Sequence, residues 1–487
     1  MTEIVIRGGR VIDPGAGTDE VRDLLVRDGS IADPASVSEG AVVVDATGLV
    51  VGPGFVDVHS HVNTIAGQRL QAFDGVTTAL DLEIGLMPVA VALQRAAKEG
   101  RPLNYGYSAS WAAARGLVLA GVEPVPDLAG VLALMGNEHW QASSSPVQRD
   151  RWLDLLSGEL ADGALGIGVP IGYTPRAEPS EFLHVARLAG GNGVPVFAHV
   201  RNLIEADPDV VVDGADEVTA AAAETGVAMH YCHVNSTSGR HVERALGTIH
   251  AAVAAGSRVT YEAYPYGTAC TGIGAAFLAP ERLHVWGLKP HNLVLLPSGE
   301  RIADAARLRE VRAATPGALC LIEILDETDP SDRALLEGTF ADPGTIVASD
   351  ALPVTFNDGT RDTRQWPLPE GATHPRTAGT FAKALRRFVR ETGIWDWPEA
   401  FRRCSYLPAR LLDAHAHAPA ARRKGHLGIG ADADVVVLDP DRVTDQATVL
   451  ASTAPSHGVR HLLVNGEPVI RDGELLPDAY PGRALRS

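Results

Sequence analysis

Cysteine and lysine are both scarce in this chain. Four cysteines, Cys232, Cys270, Cys320 and Cys404, are spread over 487 residues with no CxxC pair. That argues against a disulfide scaffold and a cysteine-rich zinc module, and for reduced thiols in a cytoplasmic setting. No stretch approaches the roughly 18 uninterrupted apolar residues that a membrane-spanning helix needs. The opening "MTEIVIRGGRVIDPG" is charged and strand-like rather than a secretory leader, so a soluble, cytoplasmic protein is expected. Positive charge is in deficit, with a formal net charge of −18 at pH 7. This disfavours nucleic acid or an anionic membrane as a partner and leaves a small molecule as the expected one. The HxE…PCxxC signature of zinc-dependent base deaminases is also missing.

What is present reads as globular and loop-rich: 45% hydrophobic residues, with 50 glycines and 32 prolines. Single cores stop growing near about 250 to 300 residues, so one large domain with a smaller companion is expected. Residues 1–52 alternate short apolar runs with glycine turns: "EIVIRGG", "DLLVRDG", "AVVVDATG". The pattern returns in "ADADVVVLDP" and "HLLVNGEPVIRDGEL". Each piece is small for a core of its own, so 1–52 and 425–487 are expected to build one β-sandwich together. Between them, 53–424 switches repeatedly from period 2 to period 3.6. "GVPVFAHVRN" precedes "DGADEVTAAAAETG", and "GVAMHYCHVN" precedes "GRHVERALGTIHAAVAAG". Such β/α repeats imply a parallel sheet, either open or closed as a (β/α)₈ TIM barrel. The interval 277–344 is too long for an ordinary connection and is expected to be an insertion covering the barrel mouth.

Reactive side chains collect where the apolar strands stop. "FVDVHSHVN" puts His59 and His61 on one strand face. Asp81 and Glu83 close the next strand, His199 and Arg201 close "VPVFAHVR", His233 follows "VAMHYC", and Asp350 follows "TIVAS". Strand ends converge at the mouth of a closed barrel but not along an open sheet, which favours the barrel. Imidazoles and carboxylates together suit zinc, and also manganese, iron or cobalt. One ion is expected between His59, His61 and Asp350, and a second between His199, His233 and Glu83; whether both fill together stays open. Water on such an ion becomes acidic and carbonyls are polarised, which suits hydrolysis. Asp350 is the expected proton shuttle. His230 and His241 compete with His233, and Asp81 with Glu83. None of the four lysines, Lys98, Lys289, Lys383 and Lys424, closes a strand, so a bridging anion must be a native side chain rather than a carbamylated lysine.

These stretches, with "FDGVTTALDLEIG", "DGALGIGVPIGY", "HVNSTSG", "YEAYPYGTACTG", "HPRTAGTF", "LPARLLD" and "LGIGADADVVVLDP", resemble the amidohydrolase superfamily over essentially the whole chain, and most closely its D-aminoacylase branch, the N-acyl-D-amino-acid deacylases. The resemblance implies a metal-bearing barrel with a β-sandwich from both chain ends. It also implies that Arg376 holds a substrate carboxylate, with Arg201 assisting or orienting a ligand and Tyr264 and Tyr266 lining the pocket. Two departures stand out. Ile84 occupies the position of a family metal-binding cysteine, beside Glu83, and Asn235 occupies that of a family lysine that helps hold the substrate carboxylate. An amide lacks the full charge that a carboxylate prefers.

The leading expectation is a metal-dependent hydrolase of N-acyl-D-amino acids or related linear amides. Hydrolysis of cyclic amides of the hydantoin or dihydropyrimidine type, or of an amide in secondary metabolism, stands as the enzymatic alternative. A non-enzymatic binding protein would be expected to have lost some of the ligands, and every expected position holds a competent side chain.

Overall fold

The computed structural model describes residues 3–413 and 418–487. Eight short strands, Phe55–Asp57, Val76–Leu86, Asn104–Ser110, Ile167–Val169, Val196–Ala198, Met229–Tyr231, Val259–Ala263 and Thr345–Val347, follow one another in chain order across a single sheet. A parallel bridge between Ser60 and Ala351 joins the ends of the first and last strands, where the His61 N–H donates to the Ala351 carbonyl at 2.9 Å. The fold is a (β/α)₈ barrel accompanied by a β-sheet domain from both chain ends. Among the described residues no helix is long and apolar enough to cross a membrane.

The helices begin and end where local chemistry dictates. In "DGADEVTAAAAETG" the Asp213 carboxylate accepts the N–H groups of Ala215 and Asp216 at 2.9 and 3.2 Å, which caps the helix Gly214–Thr225. Gly226, at φ +69°, ends it in the left-handed conformation that glycine adopts without strain. The third strand, "NYGYSAS", is buried throughout yet holds no β-branched residue, with small side chains between its two tyrosines and at its end.

The chain forms two compact units, one of Met1–Leu80, Arg95–Gly106 and Ile346–Arg486, the other of Asp81–Gln94 and Tyr107–Thr345. The first contains a nine-stranded sheet built from both chain ends. Val50–Pro53 lies at its junction, pairing in parallel with Arg10–Val11 and antiparallel with Val435–Leu438. Ile4, Ile6, Val435 and Val437 alternate in sequence, as side chains sharing one sheet face do, and enter a common apolar cluster. In the second unit a small antiparallel sheet orders Thr268–Gly272, Leu319–Glu323 and Leu293–Leu295. It takes in a strand that precedes residue 277, so this substructure begins earlier than the loop length suggested.

A buried polar cluster fastens the first unit. Lys424 Nζ lies 2.6 Å from Asp434 Oδ2, the same oxygen accepts from Asn104 at 2.9 Å, and Asp434 Oδ1 accepts the Asn465 N–H at 2.7 Å. Lys424 also lies 2.9 Å from Asp432, so losing Asp434 leaves it one carboxylate but strips the buried Asn104 amide and Asn465 N–H of an acceptor, a cost of about 1–3 kcal/mol. Asp434→Ala is therefore expected to lower unfolding stability by about that amount in urea denaturation. A loss below about 0.5 kcal/mol would show that these donors are satisfied without it.

Candidate active site

In the first unit, strand geometry sets the donor atoms. Asp57, His59 and His61 alternate along the first strand and its continuation, and both imidazoles are almost fully buried. His59 Nε2 and His61 Nε2 lie 3.2 Å apart, and Asp350 Oδ1 lies 3.5 and 3.6 Å from them. Two ligands on a tetrahedral ion with bonds of ~2.1 Å are separated by about 3.4 Å, so these three atoms fit a single divalent cation.

Asp350 adopts φ +48°, a left-handed conformation that is uncommon outside glycine and asparagine. Its neighbours hold it there. Ser349 donates its N–H to Asp57 Oδ1 at 3.0 Å and its hydroxyl to Asp57 Oδ2, while Gln71 donates to Asp57 Oδ2 at 2.8 Å. Arg376 Nε donates to the Asp350 carbonyl at 2.6 Å, and its terminal nitrogen lies 2.7 Å from Asp350 Oδ2. One oxygen of Asp350 thus faces the imidazoles and the other faces a guanidinium. Arg376 is 0% exposed. The structure gives this arginine, expected to clamp a substrate carboxylate, a carboxylate of its own chain.

In the second unit the registers are level: Val196 pairs with Ile167 on one side and Met229 on the other, and Met229 pairs with Val259. Residues just past these strands therefore emerge at one height, and His199 and His233 come together with their rings 4.7 Å apart. Glu83 Oε1 lies 2.8 Å from His199 Nδ1 and 3.0 Å from His233 Nε2, a buried group of three whose donor atoms could share an ion. Asp81 accepts the Gly85 N–H at 3.3 Å, further back along the strand. His230 bonds Thr260 at 2.8 Å and lies 3.3 Å from Glu262, so it is turned to a different partner set from His233. His233 also has a positive φ, +36°, and its N–H donates to Glu262 Oε1 at 3.2 Å.

The remaining expected residues are all buried. Arg201 is paired with Glu217 at 3.0 Å and also donates to the Ala177 carbonyl at 2.7 Å. Burial, partly offset by that arginine, raises the Glu217 carboxyl to about 7. Tyr264 sets its ring 6.5 Å from that of His233. Asn235 Nδ2 donates to the Tyr264 carbonyl at 3.0 Å and to that of Tyr266 at 3.5 Å.

Two carboxylates escaped the sequence reading. Asp57 and Glu262 each accept a backbone N–H of a candidate ligand, that of His59 at 3.2 Å and that of His233. Asp57 was visible in principle, because the alternation that pairs His59 with His61 puts it on the same face.

The geometry separates the two rival carboxylates experimentally. Glu83→Gln is expected to weaken metal affinity about tenfold or more, whereas Asp81→Asn should leave the bound metal unchanged, both read by elemental analysis after dialysis. The reverse pattern would move the ligand to Asp81.

No family model matches the chain. Among curated proteins it is 29% identical to the N-acyl-D-glutamate deacylase of Alcaligenes xylosoxydans xylosoxydans, over 99% of this chain and 96% of that protein. It is 27% identical to the D-aminoacylase of the same organism, over 99% and 97%. Among solved structures, the N-acyl-D-glutamate deacylase of Bordetella bronchiseptica, complexed with zinc and a phosphonate mimic of the tetrahedral intermediate, superposes with a TM-score of 0.76 at 26% identity and covers 99% of both chains. With full-length likeness in sequence and fold, and two buried donor groups at barrel strand ends, the chain is a metal-dependent hydrolase similar throughout its length to the D-aminoacylases of the amidohydrolase superfamily.

Proposed function

We propose that the chain cleaves the amide bond of N-acyl-D-amino acids or related linear amides, with Asp350 as the proton shuttle. The observation that carries this reading is the division of Asp350 between two partners: Oδ1 beside the His59 and His61 nitrogens, Oδ2 on Arg376. The full-length relatives that remove acyl groups from D-glutamate and other D-amino acids supply the substrate class.

His59, His61 and Asp350 would hold one divalent ion, and Glu83, His199 and His233 a second, with zinc the best match to mixed imidazole and carboxylate donors. An ion there supplies Lewis acidity and brings the pKa of water towards neutrality. The work of the protein's own groups is orientation and proton movement. Asp350 takes a proton from the attacking water and delivers it to the departing nitrogen, since an amine leaves as the protonated species far more readily than as an anion. Arg376 fixes the carboxylate plane of Asp350, so that the oxygen that moves the proton does not rotate away. Glu262 and Asp57 hold the backbone at His233 and His59. Ring-opening of cyclic amides would use the same groups, and no feature of the structure favours it over the linear reaction.

A panel of N-acetyl-D- and N-acetyl-L-amino acids tests the reading through release of free amino acid, with D-selective release expected. Asp350→Asn, nearly isosteric, should lower kcat by about 10²–10⁴ when measured per bound metal at saturating zinc, since Asp350 is also one of the ligands. A kcat within about threefold of wild type would remove Asp350 from proton transfer.

A further inference from the structure

A cavity of about 290 Å³ lies at the C-terminal ends of the strands Ile167–Val169 and Val196–Ala198, where Gly172 and Arg201 on the segments leaving those strands are among its walls. Gly172 ties it to a candidate metal ligand. The Gly172 N–H donates to the His199 carbonyl at 3.0 Å, and a Cβ at this glycine would stand 2.7 Å from Cδ2 and 3.2 Å from Nε2 of the His199 ring. His199 turns Nδ1 to Glu83, so the opposite edge of its ring is the one packed on the cavity wall. Aromatic rings continue the contact: that of Tyr173 lies 4.4 Å from His199 and 5.8 Å from Phe277, and Phe277 lies 6.1 Å from Trp286. Phe277 and Trp286 are themselves lining residues.

The charges in this lining are already committed. Arg201 is paired with Glu217 at 3.0 Å, and Arg282 is bonded to Asp207 with Asp209 3.9 Å away. Three carboxylates thus stand against two guanidiniums. An acidic group entering the cavity would lose water without gaining an uncommitted cation, and would approach Asp207 and Asp209, which line it. Much of the rest is apolar, with Val210 and Val211 beside the two aromatic rings. Val211 is 61% exposed and the Asp209 side chain 88%, so on this side the cavity meets solvent at a valine next to an acid. A dry apolar cavity of about 150 Å³ is enough to hold benzene, so a phenyl ring or a branched aliphatic group fits this one.

We propose that the cavity is the subsite for an uncharged apolar group of the substrate, aromatic or branched aliphatic, and that it turns acidic groups away. The proposal rests on the deacylase reading and narrows the substrate class of that site. An N-acyl-D-amino acid carries two groups of this chemistry, its side chain and its acyl chain. Either one, seated against Phe277 and Trp286, leaves water for an apolar wall and adds binding energy away from the scissile bond.

The test has two arms, both read as release of free amino acid by the zinc-loaded enzyme. One compares N-acetyl-D-phenylalanine and N-acetyl-D-glutamate with N-acetyl-D-alanine; the other compares N-phenylacetyl-D-alanine and N-succinyl-D-alanine with the same reference. In one arm the aromatic compound is expected to exceed the reference in kcat/KM by at least about tenfold while the acidic one falls below it, and that arm tells which group enters the cavity. Phe277→Ala, at a half-buried wall position, should cut this aromatic preference to within about threefold. Asp209→Lys, at an exposed position, should raise the acidic compound against the reference about threefold at low salt, a gain lost near 1 M salt. An aromatic compound within about twofold of the reference in both arms, an acid preferred to it in both, or a preference untouched by Phe277→Ala overturns the proposal and leaves the deacylase reading standing. Turnover of none of the five compounds, by enzyme with its metal in place, overturns both. The wild-type ratios alone decide the matter if the variants do not fold.

Discussion

Asp57 is fully buried, and its two oxygens accept from His59 and Ser349 backbone N–H groups, the Ser349 hydroxyl and the Gln71 amide. A carboxylate withdrawn from water needs such a full set of donors, each worth about 1.5–3 kcal/mol when the acceptor is charged. Those donors come from the continuation of the first barrel strand, from the helix Ile65–Phe73 that follows it, and from the segment after the last strand. The bond network that closes the barrel is thus the same one that sets His59, His61 and Asp350 in position. Closure and ligand geometry depend on each other, and a change at Asp57 would be felt in both.

The second donor group follows the same principle with different residues. His233 and Asp350 both occupy positive-φ conformations. Such conformations cost of order 1–3 kcal/mol in a residue that is not glycine and persist only where the surroundings over-determine them. Glu262 does this for the His233 N–H, and Arg376 for the carbonyl and carboxylate of Asp350. In each case a buried ionic side chain holds the main chain so that a neighbouring donor atom points at a fixed place. Two candidate ligands thus carry backbone strain, where a small displacement would alter the spacing on which ion binding depends.

Much of this was legible in the residues. Period-2 runs ending in histidine or acid mark the strand ends, and the recurrence of glycine turns at both termini marks the shared β-domain. Side-chain reach was not legible. Asp81 and Glu83 share a strand face, but Glu83 stands two residues nearer the strand end and its longer side chain reaches His199 and His233, while Asp81 accepts the Gly85 N–H. The partners of Arg376 and Arg201 could not be named from the sequence, because Asp350 and Glu217 lie 26 and 16 residues away and pair with them only through the fold. The strand "NYGYSAS" lacked the β-branched residues that signal a strand, since close packing in a barrel also rewards small side chains. Asn235 was visible as a departure, but that its amide is fixed by two carbonyls is a fact of tertiary structure.

The central claim is that buried imidazoles and carboxylates at the strand ends hold a divalent ion. The most direct measurement is anomalous diffraction at the zinc edge from crystals grown with zinc. The account predicts a peak within about 2.0–2.3 Å of His59, His61 and Asp350, of Glu83, His199 and His233, or of both groups. Zinc bound only at surface sites, with neither group occupied, would contradict it.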